Sequence, residues 1–182
     1  MSRLDETHWR AVALQYFARA GIVLTAAEAH GLEIADFGLC RFEDVGLTLL
    51  TYVNTRRVCA KELVLLPHQL CPEHRHPPVD DKPGKEETFR CRWGTVHLVV
   101  DRPTAGSAHA IPPHPYLRTT KVTAAHHVVL LPGEQYTLEP DTLHWFMAGP
   151  DGAVVSEFST RSRDAHDLFT DPLVRRKAID GS

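Results

Sequence analysis

The sequence predicts a mainly β fold, one β-sandwich or β-barrel preceded by a helical arm. Beyond residue 35, short apolar and β-branched runs at 45–53, 57–66, 88–100, 126–131, 134–138, 143–148 and 153–159 alternate with Pro, Gly and Asp. Regularly spaced short strands broken by turn residues are the pattern of an all-β sandwich or barrel. Before residue 35 the apolar spacing is helical. A chain of 182 residues, without repeat, heptad or linker, makes one domain large enough to bury a sizeable core. That domain divides into a helical arm (1–35), a barrel (36–172) and a C-terminal tail (173–182).

The arm comes first. Trp9, Val12, Ala13, Tyr16, Phe17 and Ala20 recur at i, i+3 and i+4, and Gly21 follows where a C′ residue belongs. Next, Thr25-Ala-Ala-Glu28 has capping-box form, a hydroxyl for the N3 amide and a carboxylate reaching back. It opens a short helix ending near His30-Gly31. The seven runs then supply strands. The proline-rich stretch from Arg102 to Arg118 is too long for a hairpin turn and predicts an ordered surface crossover.

Composition removes several function classes. Apolar residues make up 43% and charged residues 24%, which excludes disorder and low complexity. The net charge of −3 offers no field for nucleic acid or anionic lipid. No stretch approaches the ~20 apolar residues of a membrane span, and the first residues lack a secretory apolar region, so a cytoplasmic location is expected. Cys40, Cys59, Cys71 and Cys91 contain no CxxC and are expected to be buried small hydrophobes. Histidine, with 12 residues, is the unusual count.

The chemistry concentrates in Cys71-Pro-Glu-His74-Arg-His76-Pro-Pro and in Glu87-Thr-Phe-Arg-Cys-Arg-Trp-Gly94, which begins eleven residues after His76. Residues two apart on a strand share a side, so His74 and His76 can present two imidazoles to one point. The polar turn after them can return the chain as an antiparallel neighbour. Parity then selects Glu87 over Glu86, because Glu87, Phe89, Cys91 and Trp93 form the mostly apolar, inward row. A distant fourth ligand is needed, and His144 in Pro140-Asp-Thr-Leu-His144-Trp-Phe opens a strand after a turn. Three imidazoles and one carboxylate suit divalent Mn, Fe, Co, Ni or Zn, with open positions of catalytic type. Cys71 is the alternative ligand, on the wrong parity.

His74-x-His76, Glu87, Gly94 and His144 together resemble the two-motif signature of the cupins, β-barrels (jelly rolls) that hold a metal on three His and one Glu. A closer resemblance is to the bacterial cupin-type D-lyxose isomerases. It is carried by Ala20-Gly-Ile-Val-Leu-Thr25, Tyr52-Val-Asn-Thr, Ala60-Lys-Glu-Leu-Val-Leu, the Cys71–Arg92 block, His144-Trp-Phe, Gly152-Ala-Val-Val-Ser-Glu157 and Phe169-Thr-Asp-Pro172. The resemblance implies interconversion of D-lyxose with D-xylulose and of D-mannose with D-fructose, a preference for Mn²⁺ and a homodimer. It also implies that Glu157 is the acid/base, that Lys85 serves the site and that Asp171 binds sugar hydroxyls.

Residue chemistry alone leaves alternatives beside these roles. Glu157 could be a solvent-facing strand residue, and Lys85 a turn lysine in Asp-Asp-Lys-Pro-Gly-Lys. Lys61 lies inside an apolar run, so it either reaches the site or pairs with a carboxylate. Asp171 could simply initiate a turn before Pro172. Trp145 could stack on a sugar ring or pack in the wall. His166 and Asp167 are weaker candidates, and His109, His114, His126 and His127 are expected at the surface. An Fe²⁺ cupin dioxygenase and a non-catalytic sugar-binding or sensing cupin use the same ligands. A phosphosugar isomerase would need a basic cluster, for which Arg90/Arg92 and Arg161/Arg163 are available.

Overall fold

A computed structural model of the chain describes residues 4–102 and 110–176. The arm folds as its periodicity predicts. Helix α1 (Glu6–Arg19) starts at Asp5, whose carboxylate accepts from the His8 amide at 3.0 Å, and Gly21 follows it at φ 69°. Helix α2 (Ala26–His30) carries the capping box in full: Thr25 Oγ1 accepts from the Glu28 amide at 3.2 Å, and the Glu28 carboxylate accepts from the Thr25 amide at 2.7 Å.

The strands are β1 (Glu33–Ala35), β2 (Leu47–Asn54), β3 (Cys59–Leu65), β4 (Leu70–Arg75), β5 (Glu87–Val100), β6 (His126–Leu130), β7 (Gln135–Leu138), β8 (His144–Ser159) and β9 (Leu168–Phe169). They pair antiparallel into one curled sheet. Its path runs β1-β2-β3-β8-β4-β9, with β5 pairing β6, β7 and β8. The fold is mainly β, a cupin-like half-barrel. Its interior holds one cluster, including Leu63, Phe89, Val155 and Phe146. A second cluster lies on the outer face, where Ala13, Tyr16 and Phe17 of α1 cover Leu50, Val64 and Val154. The arm is therefore a lid on the outside of the sheet, and the barrel interior stays free for a site.

Four expectations are corrected here. The runs 143–148 and 153–159 are one strand, because Gly149, Pro150 and Gly152 are carried inside β8 rather than ending it. They are accommodated by irregular pairing with β5, whose register shifts at Cys91/Trp93 and again at Gly94/Val96. A Cβ on Gly94 (φ 76°) would lie 2.1 Å from the Gly152 carbonyl oxygen, so the two backbones meet where only glycine fits. The first shift also reverses parity: Cys91 opposite Val155 points inward, but Trp93 opposite Val154 joins the outer cluster, edge-on to Tyr16. Third, the segment 1–35 is not all helix, since its last three residues form β1 against β2. Fourth, Cys40 is exposed, whereas Cys59, Cys71 and Cys91 are buried and free as expected.

The crossover and the tail are only partly visible: residues 103–109, with His109, and 177–182 lie outside the described residues. From 110 onward the crossover is ordered around one 3₁₀ turn, Pro115–Arg118. His114 is buried and its Nδ1 accepts from the Tyr116 amide at 3.2 Å, so it is a cap and not a surface residue. His127 is buried too, with its Nε2 3.0 Å from Nδ1 of His97. Among the described residues, no helix is long and apolar enough to cross a membrane.

Candidate active site

Three strands bring the site together. His74 is the penultimate residue of β4 and stands opposite His144, the first residue of β8. His76 follows two residues later on the same side, and Glu87 opens β5. One ligand atom from each of His74, His76 and His144 lies within 4.8 Å of the others, a grouping that could hold a metal ion. Glu87 Oε1 lies 3.0 Å from His76 Nε2 and 3.3 Å from His144 Nε2. These three atoms are buried and make no hydrogen bond. Buried polar atoms are seldom left so, and three converging on one point fit a cation.

The opposite ring nitrogens are all engaged. Nδ1 of His74 is 2.7 Å from the Pro72 carbonyl and Nδ1 of His144 is 3.0 Å from that of Thr142. Nδ1 of His76 is 2.5 Å from an Asp167 carboxylate oxygen. A carbonyl can only accept, so Nδ1 of His74 and His144 carries the proton and Nε2 offers its lone pair inward. Burial pushes the His144 pKa down to about 4 and that of His74 well below the usual value. Both rings are neutral at pH 7. His76 differs: burial lowers its pKa, but Glu87 and Asp167 on either side outweigh this and raise it to about 9.

Beside the histidines lies a chain of buried charges. Lys85 Nζ is 2.7 Å from Glu87 Oε2 and donates to Glu157 Oε1 at 3.0 Å. Register puts Lys61 of β3 directly opposite Glu157 of β8. Lys61 Nζ donates to Asp164 at 2.8 Å and to Ser162 at 3.0 Å, and stands 4.0 Å from Glu157 Oε1. Burial disfavours both ammonium groups, yet the carboxylates around them hold both pKa values above the usual lysine value. Arg176 of the tail extends the chain, pairing with both Asp164 and Glu33.

Lys61, Lys85, Glu87 and Glu157 all wall one pocket with His74 and His76. Lys61 therefore does both things open to it, reaching the pocket and pairing with a carboxylate. Two candidates are placed elsewhere. Trp145 is wholly buried on the face of β8 opposite His144 and Phe146, so it packs in the core and cannot meet a sugar in this pocket. The Asp171 carboxylate is occupied by Tyr116 at 2.7 Å, Thr120 at 3.2 Å and the Leu173 amide at 2.8 Å. It anchors the crossover and is not part of the pocket wall.

Sequence reasoning missed Asp164, Ser162 and Arg176, and gave Asp167 too little weight. The only signal was that Lys61 needs a carboxylate; its partner, 103 residues away, has no mark of its own. Glu73 was also missed. Its buried carboxylate accepts from the Thr123 and Ala124 amides and the Thr123 and Thr170 hydroxyls, at 2.8–3.2 Å. It thereby ties the crossover and the end of β9 to β4, where Phe169 stacks on His74 with ring centroids 5.2 Å apart.

Fold and site together define a cupin-type barrel with a metal-capable histidine centre and a pocket of paired lysines and carboxylates beside it. The sequence pattern of the family described as D-lyxose isomerase matches residues 8–181, and the chain belongs to that family. It is 53% identical to a D-lyxose ketol-isomerase of Cohnella laeviribosi over 95% of this chain and 96% of the relative. It is 56% identical to a D-lyxose/D-mannose isomerase of Thermosediminibacter oceani, over 87% and 86% of the two chains. The fold is shared with the L-ribose isomerase of Cellulomonas parahominis, at TM-score 0.74 and 16% identity, covering 95% of this chain and 94% of that one. The chain is a sugar aldose–ketose isomerase in class.

Proposed function

We propose that this enzyme interconverts D-lyxose and D-xylulose, and also D-mannose and D-fructose, with Mn²⁺ held by His74, His76, Glu87 and His144. Co²⁺, Fe²⁺, Zn²⁺ and Ni²⁺ suit the same donors. The observation that carries the reading is the contact of Glu157 with Lys85, whose other partner is Glu87, in the pocket walled by His74 and His76. A divalent ion held there would supply Lewis acidity to the reacting oxygens of a sugar. Everything else falls to the chain. Glu157 takes the proton from C2 and returns it to C1 on one face of the sugar. Lys85 keeps its proton and supplies positive charge where the sugar oxygen becomes negative. Lys61 faces Glu157 from the other side, 4.0 Å from its Oε1, and with Lys85 fixes the position of the carboxylate. Asp167 orients His76.

The pocket wall also carries apolar Leu63, Phe89 and Phe146, but Lys61, Lys85 and Glu157 set charged groups there that sugar chemistry uses and an Fe²⁺ dioxygenase does not need. A sensing cupin has no use for a paired base. The names of the two relatives support the same substrates. A homodimer is supported by Val53 and Phe158, which stand exposed on either side of Ala60 on the outer sheet face. A sedimentation mass of two chains tests it.

The decisive experiment incubates metal-stripped protein with D-lyxose, D-mannose and D-xylose, with and without Mn²⁺, and measures ketose. Ketose from D-lyxose only with metal is the expected result. Glu157→Gln should keep its metal and lose a factor of about 10²–10⁴ in kcat and kcat/KM together, the worth of a general base. Proton transfer through Glu157 also places solvent deuterium in the product; none, with a variant of near wild-type rate, removes Glu157 from the mechanism.

A further inference from the structure

A cleft of about 270 Å³ borders the histidine centre at His76, and three separate segments bring cations to its wall. Arg56 and Arg57 come from the β2–β3 turn, Lys82 from the segment between His76 and Lys85, and Arg161 and Arg163 from the segment after β8. His76, Lys85 and Asp167 wall both this cleft and the inner pocket, so only these side chains stand between the two spaces. Only Glu86 and Asp167 oppose the cations in the wall, and Asp167 is engaged by His76. Arg163 is tied to the Val79 carbonyl at 3.3 Å and to Asp80 at 3.6 Å. Among the described residues, Arg56, Arg57, Lys82 and Arg161 enter no ion pair.

In a chain of net charge −3, five cations around one opening invert the local sign. Like charges so gathered repel each other, and a neutral sugar gives them nothing to neutralise. A phosphomonoester does: it carries about −1.5 to −2 charge at pH 7 and three acceptor oxygens that match guanidinium forks. Of the two arginine pairs apparent in the sequence, Arg161/Arg163 stand in this cleft. Arg90 and Arg92 bond Gln135 and Ser156 instead and take no part in it.

We propose that this cleft binds the phosphate of a phosphorylated aldose, with the carbonyl end of the sugar directed toward the three histidines. The phosphate lies among Arg56, Arg57 and Arg161, and sugar phosphates compete with free sugars for one site. The placing of the sugar rests on the isomerase reading, but the anion site itself does not.

The test is calorimetric titration of the Mn²⁺-loaded protein with D-mannose 6-phosphate, D-mannose and inorganic phosphate. D-mannose 6-phosphate should bind at least about tenfold tighter than D-mannose, and the advantage should shrink as salt is raised. An Arg57→Ser/Arg161→Ser double variant should lose about tenfold of that advantage while keeping its D-mannose affinity and its kcat on D-lyxose. In the parent protein, D-mannose 6-phosphate should raise the KM for D-lyxose and leave kcat alone. Equal binding of inorganic phosphate and D-mannose 6-phosphate assigns the cleft to the free anion and removes the sugar phosphate. A sugar phosphate no tighter than D-mannose, or an advantage the double variant retains, overturns the anion site. Failure to make ketose from D-lyxose, with the phosphate preference intact, defeats the isomerase reading alone.

Discussion

At the residue scale, three histidines of one type are given three proton affinities by what surrounds them. Burial lowers the His144 pKa to about 4 and holds that of His74 well below its usual value, so neither competes for protons at neutral pH. His76 sits between two carboxylates, Glu87 and Asp167, and its pKa is raised to about 9. A metal must take Nε2 from a proton wherever the pH is below that value. The sign follows: affinity rises with pH while one proton is displaced, then levels once His76 is neutral. Mn²⁺ affinity, measured by competition with a chelator of known affinity, should increase about tenfold per pH unit between about pH 6.5 and 8 and flatten toward about 9. A flat profile would show that His76 is not the ligand in competition. The acid limb of activity should move to lower pH as Mn²⁺ goes from limiting to saturating. The residues that set this affinity were unevenly legible. His74, His76 and Glu87 declare themselves by parity within one short segment. Asp167 is 91 positions from the ring it orients, and no local pattern marks it.

At the scale of elements, what depends on near neighbours is legible in the sequence. The capping box at Thr25-Glu28 and the helical spacing from Trp9 to Ala20 hold because their energetics are local. Strand ends and faces depend on the partner strand. Gly152 looks like the end of one strand and the start of another, but its opposite number, Gly94, lets the two backbones close into a continuous ribbon. Trp93 was placed on the inner face by counting, and the bulge at Cys91/Trp93 turns it outward onto Tyr16. Trp145 and Asp171 show the same limit, since only the assembled barrel tells a pocket wall from a core. Gly94→Ala tests the ribbon. The new methyl meets the Gly152 carbonyl in a left-handed backbone conformation, a strain of about 1–3 kcal/mol before any steric shift. Urea unfolding should show at least that loss with little change in the m-value. A variant as stable as the parent would mean that the strands do not approach there as described.

At the scale of the whole molecule, one sheet separates two tasks. Its inner face gathers His74 from β4, Glu87 from β5 and His144 from β8, so a bound ion would cross-link strands distant in sequence. Its outer face is held by Ala13, Tyr16 and Phe17 of α1 against Leu50, Val64 and Val154. An ion that binds the folded chain alone stabilises it by about 2.7 kcal/mol at a hundred times its dissociation constant. For a chain of this size, with about 2–4 °C of Tm per kcal/mol, saturating Mn²⁺ should raise Tm by about 5–10 °C. Phe17→Leu, in the outer core, should cost about 1 kcal/mol and lower Tm with and without metal by the same amount. Groups on opposite faces with no shared partner add independently, so its metal increment should match that of the parent. A His74→Ala/His144→Ala double variant should lose both the increment and stoichiometric metal in elemental analysis. If that variant keeps the increment, the ion that stabilises the fold is bound somewhere other than the histidine centre. If instead Phe17→Leu changes the increment, the arm is coupled to the site through the sheet. The Glu33–Arg176–Asp164 pairs, which join β1 of the arm segment to the partner of Lys61, are then the contacts to break next.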